Sequence, residues 1–134
     1  MSLAEKVSQV PELFDQKDSS TATLLKEAGY LDAPQTLKVA DVEDVIAKEP
    51  KLADKWLKRG HDQRLVGGWG LERESGQYVL RDFGSRLRIV EESRPHAIAE
   101  FVVRYVGFIA RVLSRHRTVT RHSGRGDNAA VPGS

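Results

Sequence analysis

The chain has 134 residues, of which 40% are hydrophobic and 30% are charged. Those values are typical of one globular domain with a single core. It contains no cysteine, which excludes disulfide bonds and zinc-thiolate sites and is compatible with a reducing compartment. Residues 1–10 mix charged and apolar side chains and lack the pattern of a secretion signal. We therefore expect a cytoplasmic protein.

The net charge of +2 is distributed unevenly along the chain. Residues 1–54 carry six basic and eleven acidic side chains, a balance of −5. The balance is +2 over residues 55–100 and +5 over residues 101–134. The protein is therefore acidic at its start and basic at its end. We expect either that the two ends attract each other or that the basic end is a solvated tail.

Two helices are predicted in the first 29 residues. Ser2 followed by Glu5 has the form of a capping box at the start of an apolar stripe. Pro11 interrupts that stripe, so the helix either kinks there or a new one starts with Pro11 in its first turn. The next helix is capped by Ser19 or Ser20 and closed by Gly29.

Two more short helices complete the predicted N-terminal group. Asp41 precedes an apolar face and predicts the start of a third helix, which Pro50 ends. Pro50 also opens a fourth helix that runs to Arg59, with Trp56 facing the core and Gly60 as its end.

Beyond Gly60 the apolar period changes from that of a helix to that of a strand. Trp69 and Leu71 begin the first alternating run, and Ser75 and Gly76 form a tight turn before the second. A third run follows Gly84. Three alternating runs separated by turn residues predict an antiparallel β-meander.

A long amphipathic helix is predicted from Pro95 to Leu113. Glu100, Arg104 and Arg111 fall on one face at spacings of four and seven, which argues against a membrane span. The opposite face is apolar and should cover the sheet. Its members are Ile98, Phe101, Val102, Tyr105, Ile109 and Val112.

These elements predict an α+β fold: an N-terminal group of short helices, a three-stranded antiparallel β-meander and a long C-terminal helix packed on the sheet. We assign residues 1–114 to a single domain. The pattern dissolves at Arg115, so we interpret residues 115–134 as a basic, flexible tail.

Four residues are candidates for binding a partner protein. Tryptophan is favoured at interface hot spots, so Trp56 and Trp69 qualify, with burial in the core as the competing interpretation. Glu72 and Glu74 lie on one face of a predicted strand. They form either a carboxylate pair or the solvated face of an antiparallel sheet.

A basic run near the C-terminus is a candidate nucleic-acid contact, because arginine binds phosphates in a salt-dependent way. No aromatic residue lies among these arginines to stack on bases, which weakens the case. The run comprises Arg111, Arg115, Arg117, Arg121 and Arg125.

The adjacent pair His61 and Asp62 is the one hint of metal-dependent hydrolysis. Such a site needs further histidine and aspartate ligands, for which the chain offers few candidates. We therefore expect no enzymatic activity, no metal ion and no cofactor. The hypothesis that remains for this pair is an enzyme that uses His61, Asp62 and neighbouring carboxylates.

The sequence has no catalytic, metal-binding or phosphate-binding motif, its first half is acidic, and it offers aromatic residues for contacts. Together these features favour a protein-binding module. An inhibitor or immunity-type protein that blocks a basic enzyme is one concrete version of this function. Nucleic-acid binding through the arginine-rich end is the alternative.

Overall fold

The computed structural model describes residues 1–17, 19–61 and 68–125, and gives only the backbone of residue 61 and residues 116–125. This part of the chain forms six α-helices and a three-stranded antiparallel sheet, which confirms the predicted α+β fold. The helices are α1 (Leu3–Ser8), α2 (Val10–Gln16), α3 (Thr21–Glu27), α4 (Val39–Lys48), α5 (Pro50–His61) and α6 (Arg94–Arg125). The strands are β1 (Trp69–Glu74), β2 (Gln77–Asp82) and β3 (Arg88–Glu91), and two short 3-10 helices span Tyr30–Asp32 and Pro34–Thr36.

The predicted capping box starts α1. The Ser2 hydroxyl accepts the Glu5 backbone N–H at 3.2 Å, and the Glu5 carboxylate accepts the Ser2 backbone N–H at 2.9 Å. Pro11 lies in the first turn of α2, where its missing N–H leaves no hydrogen bond unmade. Of the two predicted outcomes at Pro11, the structure therefore has the new helix.

The structure confirms the predicted ends of α3, whereas α4 starts at a different residue from the one predicted. Ser20 caps α3 by accepting the Thr23 backbone N–H at 3.1 Å, and Gly29 adopts the left-handed φ of +83°. The start of α4 lies at Val39, earlier than predicted, so Asp41 falls within its first turn. A carboxylate there still stabilises the positive end of the helix dipole.

The meander has its predicted turn and strand order. Ser75 and Gly76 both have positive φ, 51° and 80°, which is the geometry of a two-residue type I′ hairpin turn. β2 lies in the centre and pairs with β1 and β3. Leu71 and Leu80 are opposite one another on the core side, and Ile89 extends this row on β3.

Helix α6 covers the core side of the sheet and also packs on α4 and α5. Ile98, Phe101 and Val102 have no exposed surface, and Tyr105 is 3% exposed. The central prediction, that this helix shelters the sheet, is confirmed. Val112 is 43% exposed, so the prediction that it faces the core is wrong.

Trp56 belongs to the centre of this core. Its ring makes edge-on contacts with Phe101 and Tyr105, and its indole N–H donates to the Ser8 carbonyl at 2.9 Å. Because Trp56 has no exposed surface, it cannot contact a partner in this fold. The prediction of Trp56 as a partner-binding residue is therefore wrong, and the competing core interpretation is correct.

The backbone of α6 continues past the predicted end at Leu113 to Arg125. The predicted boundary between domain and tail at residue 114 thus falls inside a helix. Residues 126–134 lie outside the described part. Within the part that the structure describes, no helix combines the length and the apolar character needed to cross a bilayer.

Candidate functional site

The outer face of the sheet carries a group of ion pairs that includes two predicted site residues. Glu74 binds Arg81 at 2.5 Å and Arg88 at 3.0 Å, and Glu72 lies 3.3 Å from Arg81. Hydrogen bonds from Arg81 and then Arg88 hold the pKa of Glu74 below its usual value. Both glutamates of β1 are therefore paired with Arg81 of β2, and Glu74 is also paired with Arg88 of β3. This arrangement fits a solvated polar face better than a reactive carboxylate pair.

A groove of about 530 Å³ lies between α6 and the segment that contains the two 3-10 helices. We call it the α6 groove. Trp69, the remaining aromatic candidate from the sequence, is part of its wall. The described residues that line it include two arginines and no carboxylate. The main contributors are Tyr30, Pro34, Leu37, Trp69, Arg104 and Arg111.

Trp69 and Arg104 form a cation–π pair in this groove. The Arg104 guanidinium carbon lies 4.8 Å from the centroid of the Trp69 ring, within the range of a cation–π contact. The Nε of Arg104 also donates to Glu100 at 3.0 Å, one helical turn earlier. The arginine is thus held on both sides, with its planar group lying against the groove wall.

Tyr30 and Arg111 contribute to the same groove. Tyr30 is 1% exposed, and burial raises the pKa of its hydroxyl, although the charge of Arg111 opposes that shift. The phenol therefore stays neutral at physiological pH. Arg111 is exposed and lies two turns after Arg104 on α6. The groove thus offers an aromatic wall, apolar side chains and two guanidinium groups.

A second groove, of about 470 Å³, lies between α1 and α4 and has the opposite charge. Asp41, Asp44, Glu49 and Glu5 line it, with Lys48 as the basic member. Acidic side chains are depleted at the centre of protein interfaces relative to tryptophan, tyrosine and arginine. On composition, the α6 groove is the better candidate for recognition.

The third candidate is a histidine surrounded by three glutamates, which we call the His96 cluster. The Nδ1 of His96 lies 2.8 Å from the Oε1 of Glu43 on α4. Its Nε2 lies 3.7 Å from Glu91 and 3.6 Å from Glu100. All four side chains are partly buried. The hydrogen bond to Glu43, helped by the nearby negative charges and opposed by burial, raises the pKa of His96.

The other predicted residues are spread over the chain. His61 ends α5, with only its backbone described, and Asp62 lies outside the described residues. Arg115 is exposed on α6, one turn after Arg111. Arg117, Arg121 and Arg125 lie on the helical backbone, and their side chains are outside the description.

Several residues of these sites were missing from the sequence interpretation, among them His96, Glu43 and Tyr30. His96 had a local signal, because His96 and Glu100 have the spacing that places two side chains together on a helix. The contribution of Glu43 depends on the packing of α4 against α6 and has no local signal. Tyr30 likewise reaches the α6 groove through tertiary packing.

Comparison with known proteins finds no matching family model, no matching curated protein and no matching solved structure.

Proposed function

We propose that this protein is a non-enzymatic, cytoplasmic binding module that holds an acidic segment of a partner protein in the α6 groove. The observation that carries the proposal is the cation–π pair of Trp69 and Arg104 in a groove whose described lining has two arginines and no carboxylate. Tryptophan, tyrosine and arginine are the residues that most often dominate binding energy at interfaces.

The chemistry of the groove defines the ligand that fits it. Arginine pairs with carboxylates through a planar fork of donors, so Arg104 and Arg111 suit aspartate or glutamate side chains. Apolar surface from Pro34, Val103 and Ala110, which are partly exposed, suits an aliphatic or aromatic side chain between those acids. The expected ligand is therefore an extended peptide that combines acidic residues with one or two apolar residues. An inhibitor of another protein is one version of this role.

A selection from random peptides displayed on phage tests the proposal. The full chain is the bait, and the double variant Arg104→Gln/Arg111→Gln is the counter-bait. The proposal predicts peptides rich in aspartate and glutamate around an apolar residue, and loss of their binding to the double variant. Basic peptides that bind both baits equally would favour the acidic groove between α1 and α4 and would overturn the proposal, as would the recovery of no peptide.

Nucleic-acid binding is the second candidate, and the length of α6 favours it. Because the helix continues to Arg125, the five arginines at 111, 115, 117, 121 and 125 fall within roughly 160° of its circumference, at about 100° per residue. A basic helical face of that kind suits a phosphate backbone.

Fluorescence anisotropy with a labelled oligonucleotide tests this alternative. Binding should weaken steeply as salt is raised, and the triple variant Arg115→Gln/Arg117→Gln/Arg121→Gln should lose it. The groove variant Arg104→Gln should retain it, because Arg104 lies in the groove and not in this run. Salt-independent binding, or equal binding by the triple variant, would remove the alternative.

A further inference from the structure

The His96 cluster brings together possible metal ligands from two elements. Glu91 ends β3, while His96 and Glu100 lie one turn apart near the start of α6. One ligand atom from each of the three lies within 4.8 Å of the other two. All three side chains are between 20% and 35% exposed, so the site is partly shielded from water and still reachable.

The histidine ring is held in the orientation that a metal ligand needs. Glu43 lies 2.8 Å from Nδ1, so this nitrogen carries the proton that the carboxylate accepts when the ring is neutral. The lone pair is then on Nε2, which faces Glu91 and Glu100. A carboxylate that orients the far nitrogen of a histidine is a recurring feature of metal sites.

A second contact orients Glu100. Its Oε2 accepts from Arg104 Nε at 3.0 Å, while its Oε1 is the oxygen 3.6 Å from His96 Nε2. The arginine therefore occupies one oxygen and leaves the other directed at the histidine. Two partners outside the set of possible ligands, Glu43 and Arg104, thus hold a nitrogen and an oxygen toward a common point.

The separations suit a small cation better than direct hydrogen bonds. The distances of 3.6 and 3.7 Å from Nε2 to the two carboxylates exceed the usual hydrogen-bond range. Ligand bonds of about 2.1 Å in a tetrahedron imply ligand separations of about 3.4 Å. Shifts of a few tenths of an ångström would bring Nε2 to that spacing from each carboxylate. The Glu91 and Glu100 oxygens, which lie within 4.8 Å of each other, would approach to the same spacing on binding.

We propose that Glu91, His96 and Glu100 bind a divalent transition-metal ion, with zinc as the best candidate. Imidazole with carboxylates suits zinc, whereas magnesium and calcium prefer oxygen ligands alone. Three protein ligands leave the fourth position to water or to a ligand. This inference goes beyond the proposed function and does not depend on it.

Titration of the metal-free full chain tests the proposal directly. Co²⁺ is added at neutral pH, and visible absorption reports four-coordinate binding, with Zn²⁺ displacing the cobalt in a second titration. We expect one equivalent to saturate the site. His96→Gln and Glu100→Gln should lose the absorption, and Glu43→Gln should weaken binding by about 10-fold to 100-fold, as expected for loss of an orienting partner.

His116→Gln/His122→Gln is the matched control, because the backbone of α6 carries these two positions about four and six turns beyond Glu100. Their replacement should leave cobalt binding unchanged. Circular dichroism checks that each variant is folded. Histidine NMR on the wild-type chain gives a readout that needs no variant: zinc should shift the ¹⁵N resonance of His96 Nε2. Absence of saturable binding, an unshifted His96 resonance, or full binding by His96→Gln would overturn the proposal and leave a histidine that pairs only with the surrounding carboxylates.

Discussion

Arg104 lies with its guanidinium 4.8 Å from the ring centroid of Trp69. The same arginine donates to Glu100, which faces His96 through its other oxygen. One side chain of α6 therefore contacts both the wall of the α6 groove and the His96 cluster. A substitution at Arg104 should therefore alter both the α6 groove and the His96 cluster, so Arg104 is the most informative position to vary.

Replacing Arg104 by glutamine should weaken the binding of an acidic peptide about tenfold. The variant loses the guanidinium that would pair with a carboxylate of the peptide, a charge-assisted hydrogen bond worth on the order of 1–2 kcal/mol. Isothermal titration with a selected peptide measures the effect. Arg73→Gln is the matched control, because Arg73 makes a similar contact with Tyr78 at 5.8 Å but does not line the groove. Equal losses in the two variants would mean that charge alone, and not the groove, sets the affinity.

Replacing Trp56 by phenylalanine should lower the free energy of unfolding by about 1–3 kcal/mol. The smaller ring leaves the Ser8 carbonyl without its indole donor and leaves space beside Phe101. Urea denaturation followed by circular dichroism measures this. Val112→Ala, at a largely exposed position of α6, should change stability by less than about 0.5 kcal/mol. A Trp56→Phe variant that is as stable as the wild type would contradict the role of Trp56 as the central core residue.

Two glycine-to-alanine changes should act in opposite directions. A Cβ at Gly60 would lie 2.7 Å from the Leu71 Cβ, so α5 and β1 would have to separate, at a cost of about 1–3 kcal/mol. A Cβ at Gly107 would meet its nearest neighbour at 3.8 Å. That change should stabilise α6 by about 0.5–1 kcal/mol, because alanine is the better helix former. Thermal unfolding of both variants checks the prediction. A loss of stability in Gly107→Ala would mean that the α6 groove has no room for the added methyl group.

Acid should destabilise the protein partly through Glu74. Its folded-state pKa is lowered by Arg81 and Arg88, so its contribution to stability is present above its unfolded pKa and is lost as pH falls through the folded value. Stability measured from about pH 6 down to about pH 3 should therefore fall less steeply for Glu74→Gln than for wild type. Glu92→Gln, at an exposed position between β3 and α6, is the control and should keep the wild-type slope. An unchanged slope in Glu74→Gln would mean that the outer-face ion pairs do not contribute.

Local sequence signals predicted the elements well, for reasons that act within a few residues. Ser2 and Glu5 define a cap, Ser75 and Gly76 define a turn, and the apolar stripe of α6 defines its buried face. The start of α4 was less well predicted, because Lys38 precedes it without a side-chain cap and Asp41 has the same chemistry in the first turn as at the cap.

The candidate sites were harder to predict because they are tertiary. Trp56 and Trp69 have the same residue type, and both belong to the core, but only packing leaves Trp56 with no exposed surface and Trp69 with 7% exposed in the wall of the groove. Glu72 and Glu74 were correctly placed on one face, but the arginines that pair with them come from β2 and β3. Glu43 and His96 are far apart in sequence, so their contact required the packing of α4 on α6.

The most direct test of the α6 groove is an NMR titration that follows the two tryptophan indole N–H groups. The chain has only Trp56 and Trp69, so the spectrum contains one indole signal from the core and one from the groove wall. With a selected acidic peptide, we predict that the Trp69 signal shifts in proportion to saturation while the Trp56 signal stays in place. Chemical-shift changes that leave the Trp69 indole unaffected and lie mainly in α1 and α4, or beyond Arg111 on α6, would contradict binding in the α6 groove.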